Sequence, residues 1–206
     1  DLHSIRRRQR QMCIRNSSNR KIDNLKNQAA QLVENDKKMT QVMIDKVFSF
    51  GELGFQEFET SKYLSSILEK NGFDLEYEIS NIPTSWLATW SNGNGGPIIA
   101  LGSDFDGVPS TSQYPGVAYE KPVVEGAPGH GEGHNIGVPI VITAALALKK
   151  IMIENNIDGT LLLWPGVAEE ILGSKAWYVR DGYFDNVDMC IFCLLYTSPS
   201  PRDSDS

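Results

Sequence analysis

The sequence predicts an α/β layered domain with a largely covered sheet, and three observations carry that prediction. Two short, continuous apolar runs, Ile98–Leu101 and Thr160–Trp164, read as strands buried on both faces. A long apolar run between them, Ile140–Ile153, reads as a helix. Stretches rich in glycine, proline or asparagine bound each run, and strands alternating with helices give a sheet covered by helices.

The chain's 206 residues suffice for one domain with a sizeable core. Its 41% hydrophobic and 22% charged content is ordinary for a globular protein. A net charge of −7 argues against nucleic acid or an anionic membrane as the main partner. No apolar run reads as a membrane span and no secretory pattern opens the chain. Three cysteines, at positions 13, 190 and 193, suit a reducing, cytoplasmic setting better than a disulfide scaffold.

Taken in order, residues 1–38 form a polar tail or helix, basic at Arg6-Arg7-Arg8 and Arg10 and with apolar residues at helical spacing from Ile22 to Val33. Thr40 is the expected N-cap of a helix with Val42, Met43, Val47 and Phe48 on its inner side. A second helix starts near Thr60 with Tyr63, Leu64, Ile67 and Leu68 as its apolar face, and Gly72 stands where a C′ glycine belongs. Leu75, Tyr77 and Ile79 alternate with acidic residues as on a half-exposed strand, and Trp86–Trp90 is a further strand. Asn92–Gly96 is a turn, the strand 98–101 follows, and residues 111–127 form a loop. After the helix 140–155 and the strand 160–164, a short helix at about 174–180 leads to a last strand, Val187–Phe192.

The stretch Val124–Pro139 stands out. It holds two of the three histidines, His130 and His134, with Glu132 midway and glycines at 129, 131 and 133 between them. Alternating glycines read as an ordered loop that lets backbone approach a ligand, and imidazole with carboxylate is ligand chemistry for Zn, Mn or Co. The bland alternative is a turn with idle, exposed histidines. A phosphate cradle is disfavoured, because Gly-x-Gly-x-x-Gly fails at His134 and the chain is acidic.

Two more polar clusters follow buried strands, where ligands gather in such sheets: Asp104 with Asp106, and Glu169 with Glu170. Singly, they could cap a turn or form a solvated first helical turn. Together with the loop they would repel and resist desolvation unless a cation neutralised them. Adjacent glutamates point in different directions. One can therefore ligate a metal while the other takes a proton from water. A bridging Glu132 would hold two metals roughly 3.5–4 Å apart.

Asp104-Phe-Asp106-Gly-Val-Pro109, Gly129-His-Gly-Glu-Gly-His-Asn135 and Gly166-Val-Ala-Glu-Glu170 resemble, in order and spacing, the co-catalytic metal amidohydrolases. That family includes the aminobenzoyl-glutamate, hippurate and indole-acetyl-amino-acid hydrolases. Glu52–Ser61 and Val124–Gly129 look closest to the aminobenzoyl-glutamate branch. The resemblance covers residues 40–192. It implies a zinc-exopeptidase-like catalytic domain at 39–192, a mixed sheet flanked by helices, lacking the family's smaller dimerisation domain. It also implies two divalent metal ions (Zn, Mn or Co), a small-molecule amide substrate and a homodimeric full-length protein.

By the same resemblance Glu132 takes the bridging position, and His134 and Glu170 are metal ligands. Glu169 is the general base, Asp106 the acidic residue behind the site, and Asp104 and His130 its neighbours. This branch usually carries cysteine where Glu132 stands, and a hard oxygen ligand there tilts preference towards Mn, Mg or Co. The family completes its site with histidines beyond residue 192, which this sequence lacks, so the resemblance implies an incomplete, inactive fragment. Eleven residues, Cys193–Asp203, resemble a translated sequencing-library adapter, so 193–206 is read as an artefactual tail. A degenerate relative serving binding or assembly is the alternative. The last strand, cut short, should leave Ile191 and Phe192 poorly covered.

Overall fold

The computed structural model describes residues 20–194. The basic Arg6–Arg10 stretch, Cys13 and most of the adapter-like tail lie outside them. Five strands, β1 (Asp74–Tyr77), β2 (Trp86–Asn92), β3 (Ile98–Asp104), β4 (Gly159–Gly166) and β5 (Met189–Cys193), form one mixed sheet in the order β1-β2-β4-β3-β5. β3 is parallel to β4 and β5, and β2 is antiparallel to β1 and β4. Five helices accompany it: α1 (20–35), α2 (Lys37–Phe50), α3 (Phe58–Lys70), α4 (His134–Glu154) and α5 (Lys175–Arg180).

Alternation along β3 sets the layers. Gly137 of α4 meets Ser103, so α4 lies on that face of β3. Gly102 points the other way, onto the Trp164 ring, which packs edge-on against Tyr178 of α5. Helices thus flank the sheet, and one contiguous core joins Met43, Leu64, Trp86, Ile142 and Leu163. α4 connects parallel β3 and β4, as a parallel pair requires.

Four local expectations change. Thr40 is not a cap: α2 begins at Lys37, and the Thr40 hydroxyl bonds Asp36 O (3.1 Å) and meets Thr143 Oγ1 of α4 (2.7 Å). Val42 faces solvent, since Met43 and Val47 already fill the inner side. Ile79 leaves the β1 alternation and is buried in a short 3-10 turn, Ile79–Asn81. α4 starts at His134 because left-handed Gly133 (φ 95°) precedes it, and Pro139 is accommodated near its start. With its added turns α4 becomes long and apolar enough to span a membrane. More than half of the apolar stretch is buried within the domain, as in a core helix.

Gly72 does occupy the C′ position of α3. Its φ is 75°, its N–H donates to Glu69 O and Phe73 N–H to Leu68 O, the paired bonds of a Schellman end. At the sheet edge, Ile191 is half exposed while Phe192 packs on Trp164 at 5.1 Å. β5 runs through Cys193, whose carbonyl accepts from Ser103 Oγ at 2.6 Å.

Candidate metal centre

The parallel pair β3 and β4 ends on the same side of the sheet, Asp104 opposite Gly166. Beyond Asp104 the chain continues through Phe105 to Asp106, all three buried. Backbone bonds then tie three remote segments together. Gly107 N–H donates to Glu52 O at 2.7 Å, and Val108 and Gly129 exchange bonds at 2.8 and 3.1 Å. Gly129 must be small, since a Cβ there would lie 2.6 Å from Thr111 O. This stitching carries the 129–134 loop to the ends of the two strands.

Two triads result. Glu132, His134 and Glu170 form one, Asp104, His134 and Glu169 the other, each with its candidate ligand atoms within 4.8 Å of one another. They line a cavity of about 400 Å³, whose lining also includes Cys193 and Leu194. His134 is common to both triads. Its Nδ1 lies 3.3 Å from Asp106 Oδ1, 3.2 Å from Asp106 O and 3.3 Å from Glu132 Oε1. Burial alone would lower the His134 pKa, but the bond to Asp106 and the surrounding carboxylates outweigh it and push it up to about 9.

Burial would likewise raise Glu132. The adjacent His130, the backbone N–H groups of Glu132 and His134, and the His134 charge hold it below the usual value. The Glu132 carboxylate accepts from His134 N–H at 3.0 Å, and its Oε2, buried, has no hydrogen-bond partner. Asp104 is pushed up to about 6 by burial, although Lys175 Nζ binds it at 2.9 and 3.0 Å. Burial and then the Glu132 charge raise Glu170. Asp106, fully buried, also accepts Glu170 N–H through Oδ2 at 3.0 Å.

The structure therefore gathers Asp104, Asp106, Glu132, His134, Glu169 and Glu170. His130 joins neither triad among the described residues. Its Nε2 meets Val47 O at 3.2 Å, and its Nδ1 stands 3.7 Å from Glu132, beyond hydrogen-bond reach.

A metal fits this donor set. Carboxylates and an imidazole converge, Glu132 Oε2 is buried without a hydrogen-bond partner among the described residues, and the shared histidine turns one ring nitrogen to a buried carboxylate as metal-bound histidines do.

Three residues around the centre are not singled out by the sequence. Glu52 accepts Glu59 and Thr60 N–H at the start of α3 (2.9 and 2.8 Å). Glu57 is fully buried, and Lys175 supplies the cation facing Asp104. The signal for them is weak: glutamates 52 and 57 bracket a Gly-Phe-Gln turn in a segment notable only for its resemblance.

No family model matches the chain. Among curated proteins it is 33% identical over 159 residues to one of the subunits of p-aminobenzoyl-glutamate hydrolase of Escherichia coli, covering 77% of this chain and 33% of that protein. It is 31% identical over 139 residues to hippurate hydrolase of Campylobacter jejuni (66% and 33% covered) and 28% identical over 137 residues to an Arabidopsis thaliana IAA-amino acid hydrolase (66% and 28%). The chain thus spans about a third of the length of the curated relatives it matches.

Solved structures share the fold. A dinuclear metal-binding peptidase of Bacillus subtilis matches with a TM-score of 0.59 at 22% identity, covering 78% of this chain and 44% of that one. An aminobenzoyl-glutamate utilization protein of Klebsiella pneumoniae matches with a TM-score of 0.58 at 17% identity (82% and 46%). The mixed sheet and its helices are those of part of these proteins.

Proposed function

Because the chain is a relative of the aminobenzoyl-glutamate, hippurate and indole-acetyl-amino-acid hydrolases, we propose that it carries the metal-binding part of an enzyme hydrolysing an amide bond in an N-acyl or aminobenzoyl amino acid. The observation that carries this reading is the Glu132–His134–Glu170 triad, contributed by a loop, a helix start and a post-strand turn far apart in sequence.

In this reading Glu132, His134 and Glu170 hold the metal, and Nε2 is the His134 nitrogen assigned to it because Nδ1 faces Asp106. Zn, Mn or Co fits the imidazole, and the carboxylate at 132 adds weight to Mn. When bound, the metal acidifies water and polarises the scissile carbonyl. Glu169 accepts the proton from the attacking water and passes it to the leaving amine. Asp106 orients His134 and anchors the backbone of Glu170. Asp104 and His130 support from behind, and Glu132 would also help to hold a second ion. The substrate is a small amide and the complete enzyme a cytoplasmic homodimer.

A second reading, a non-catalytic relative used for binding or assembly, draws on Lys175, whose ammonium already neutralises Asp104 within the second triad. Titrating the metal-stripped chain with Zn²⁺ and Mn²⁺ in a calorimeter separates the two. Binding that is lost in both His134→Ala and Glu170→Gln, together with cleavage of aminobenzoyl-glutamate or hippurate by the metal-loaded full-length protein, supports the enzyme. Binding that survives both substitutions refutes the assignment of the triad.

A further inference from the structure

The turn that carries Glu169 and Glu170 is held from both sides, and the metal-site reading accounts for only one of them. On the far side of Glu169, Glu170 N–H donates to Asp106 Oδ2 at 3.0 Å. On the near side, Ala168 N–H donates to Glu57 Oε1 at 2.9 Å. Glu57 is fully buried, and its other oxygen accepts from Thr84 Oγ1 at 2.8 Å, where Thr84 is also buried. A neutral side chain could satisfy one N–H and one hydroxyl at lower desolvation cost. The two Glu57 oxygens instead each accept one well-formed bond.

One of these bonds holds a residue in an unfavourable conformation. Ala168 has φ 55° and ψ 42°, the left-handed region disfavoured for any residue with a Cβ. The conformation matters because the residues after Ala168 are the two glutamates themselves. Close packing supports the same bend: a Cβ on Gly54 would lie 2.9 Å from both the Cα and the Cβ of Ala168. Glu57 and Gly54 belong to one short segment, so one piece of chain shapes the turn by contact and by hydrogen bond.

We propose that Glu57 is a positioning residue, whose buried carboxylate fixes Ala168 and so aims Glu169 and Glu170 at the metal centre. It touches neither metal nor substrate and acts through the backbone. The functional half of this inference rests on the metal-site reading above; the structural half does not. The experiment therefore reads both, by hydrogen exchange of the amides in residues 168–173 and by Zn²⁺ titration of the stripped chain.

Glu57→Leu removes the acceptors at similar volume. It is expected to speed exchange across 168–173 by about tenfold or more while leaving β2 and α4 protected, and to weaken Zn²⁺ binding by about 10- to 100-fold. Glu57→Gln keeps the Oε1 acceptor and is expected to stay within about threefold of the parent in both readouts. Should the Leu variant not fold, Glu57→Asp decides instead, since the arm shortened by one methylene withdraws the acceptor from Ala168 but keeps the charge. Unchanged exchange at 168–173 in the folded acceptor-less variant, or a uniform rise over the whole domain, overturns the proposal. Localised exchange without any Zn²⁺ binding by the parent removes the metal reading and leaves the positioning role standing.

Discussion

The two ends of β4 solve the same problem in opposite ways. Where the strand begins, the β2–β3 turn packed against it runs on glycines: Gly93, Gly95 and Gly96 have φ of 69°, 118° and 79°, and Gly159 opens the strand at 154°, with Asn156 at 50° the one residue carrying a Cβ in the left-handed region there among the described residues. Where it ends, Ala168, Leu172 and Ser174 take φ of 55°, 61° and 58° although each carries a Cβ. Glycine adopts such angles without steric penalty, whereas an ordinary residue loses about 1–2 kcal/mol. The second end keeps its shape through bonds: Glu57 and Asp106 on the flanks, and Gly173 N–H to Ala168 O and Leu172 N–H to Glu169 O within, both at 2.8 Å. Strained backbone can persist where chemistry needs a fixed direction, and three such residues flank the two glutamates here.

The largest effect is expected at the relaxed end. A Cβ at Gly96 would lie 2.4 Å from Asp158 O and 2.8 Å from Gly159 N, both backbone atoms that cannot swing aside, in addition to the φ penalty. Gly96→Ala is therefore expected to lower stability by about 3 kcal/mol in urea unfolding. A loss below about 1 kcal/mol would mean that the first turn does not depend on glycine, and the contrast would collapse. At the strained end the opposite substitution should help. Leu172 is 94% exposed, so its side chain contributes little burial. Leu172→Gly is expected to stabilise by up to about 1 kcal/mol, the left-handed penalty less the entropy cost of glycine. A destabilised variant would show that Leu172 is covered by something in solution.

Much of this is legible in the sequence, and the reasons are local. Strands β3 and β4 announce themselves because continuous apolar runs are what a doubly covered strand requires, and the polar residues just beyond them fall where loops meet. α4 reads too short, because alternating glycines look like loop even when the last of them is the cap of a helix. Thr40 has the chemistry of a cap, yet its hydroxyl finds Thr143, more than a hundred residues away in sequence, and no local pattern reports that. Glu57 is hidden for the same reason. Its neighbours Gln56 and Glu59 are polar, and only the packing of Thr84 and Ala168 around it distinguishes a buried carboxylate from a solvated one. Lys175 likewise becomes a partner of Asp104 only once α5 lies beside β3.

The last comparison tests what ionisation of Glu57 does to the strained end. Burial raises the pKa of Glu57 above 4.5, against the bonds from Thr84 and Ala168 that lower it. For a carboxyl whose pKa is higher in the folded state, the stabilisation is fully present below the unfolded value and is lost as pH rises through the folded one. The parent should therefore lose ground to Glu57→Gln, which cannot ionise, as pH rises from the ordinary carboxyl value of 4.5 through the raised folded one. The loss should come to about 1.4 kcal/mol for every pH unit that separates the folded from the unfolded pKa. Urea midpoints of the two proteins across that range measure it, and a constant gap would mean that the carboxyl titrates at its ordinary value. The cost of Gly96→Ala, which is purely steric, should not follow pH at all. If it does, the two ends of β4 are coupled, and the division between a glycine turn and a hydrogen-bonded turn is wrong.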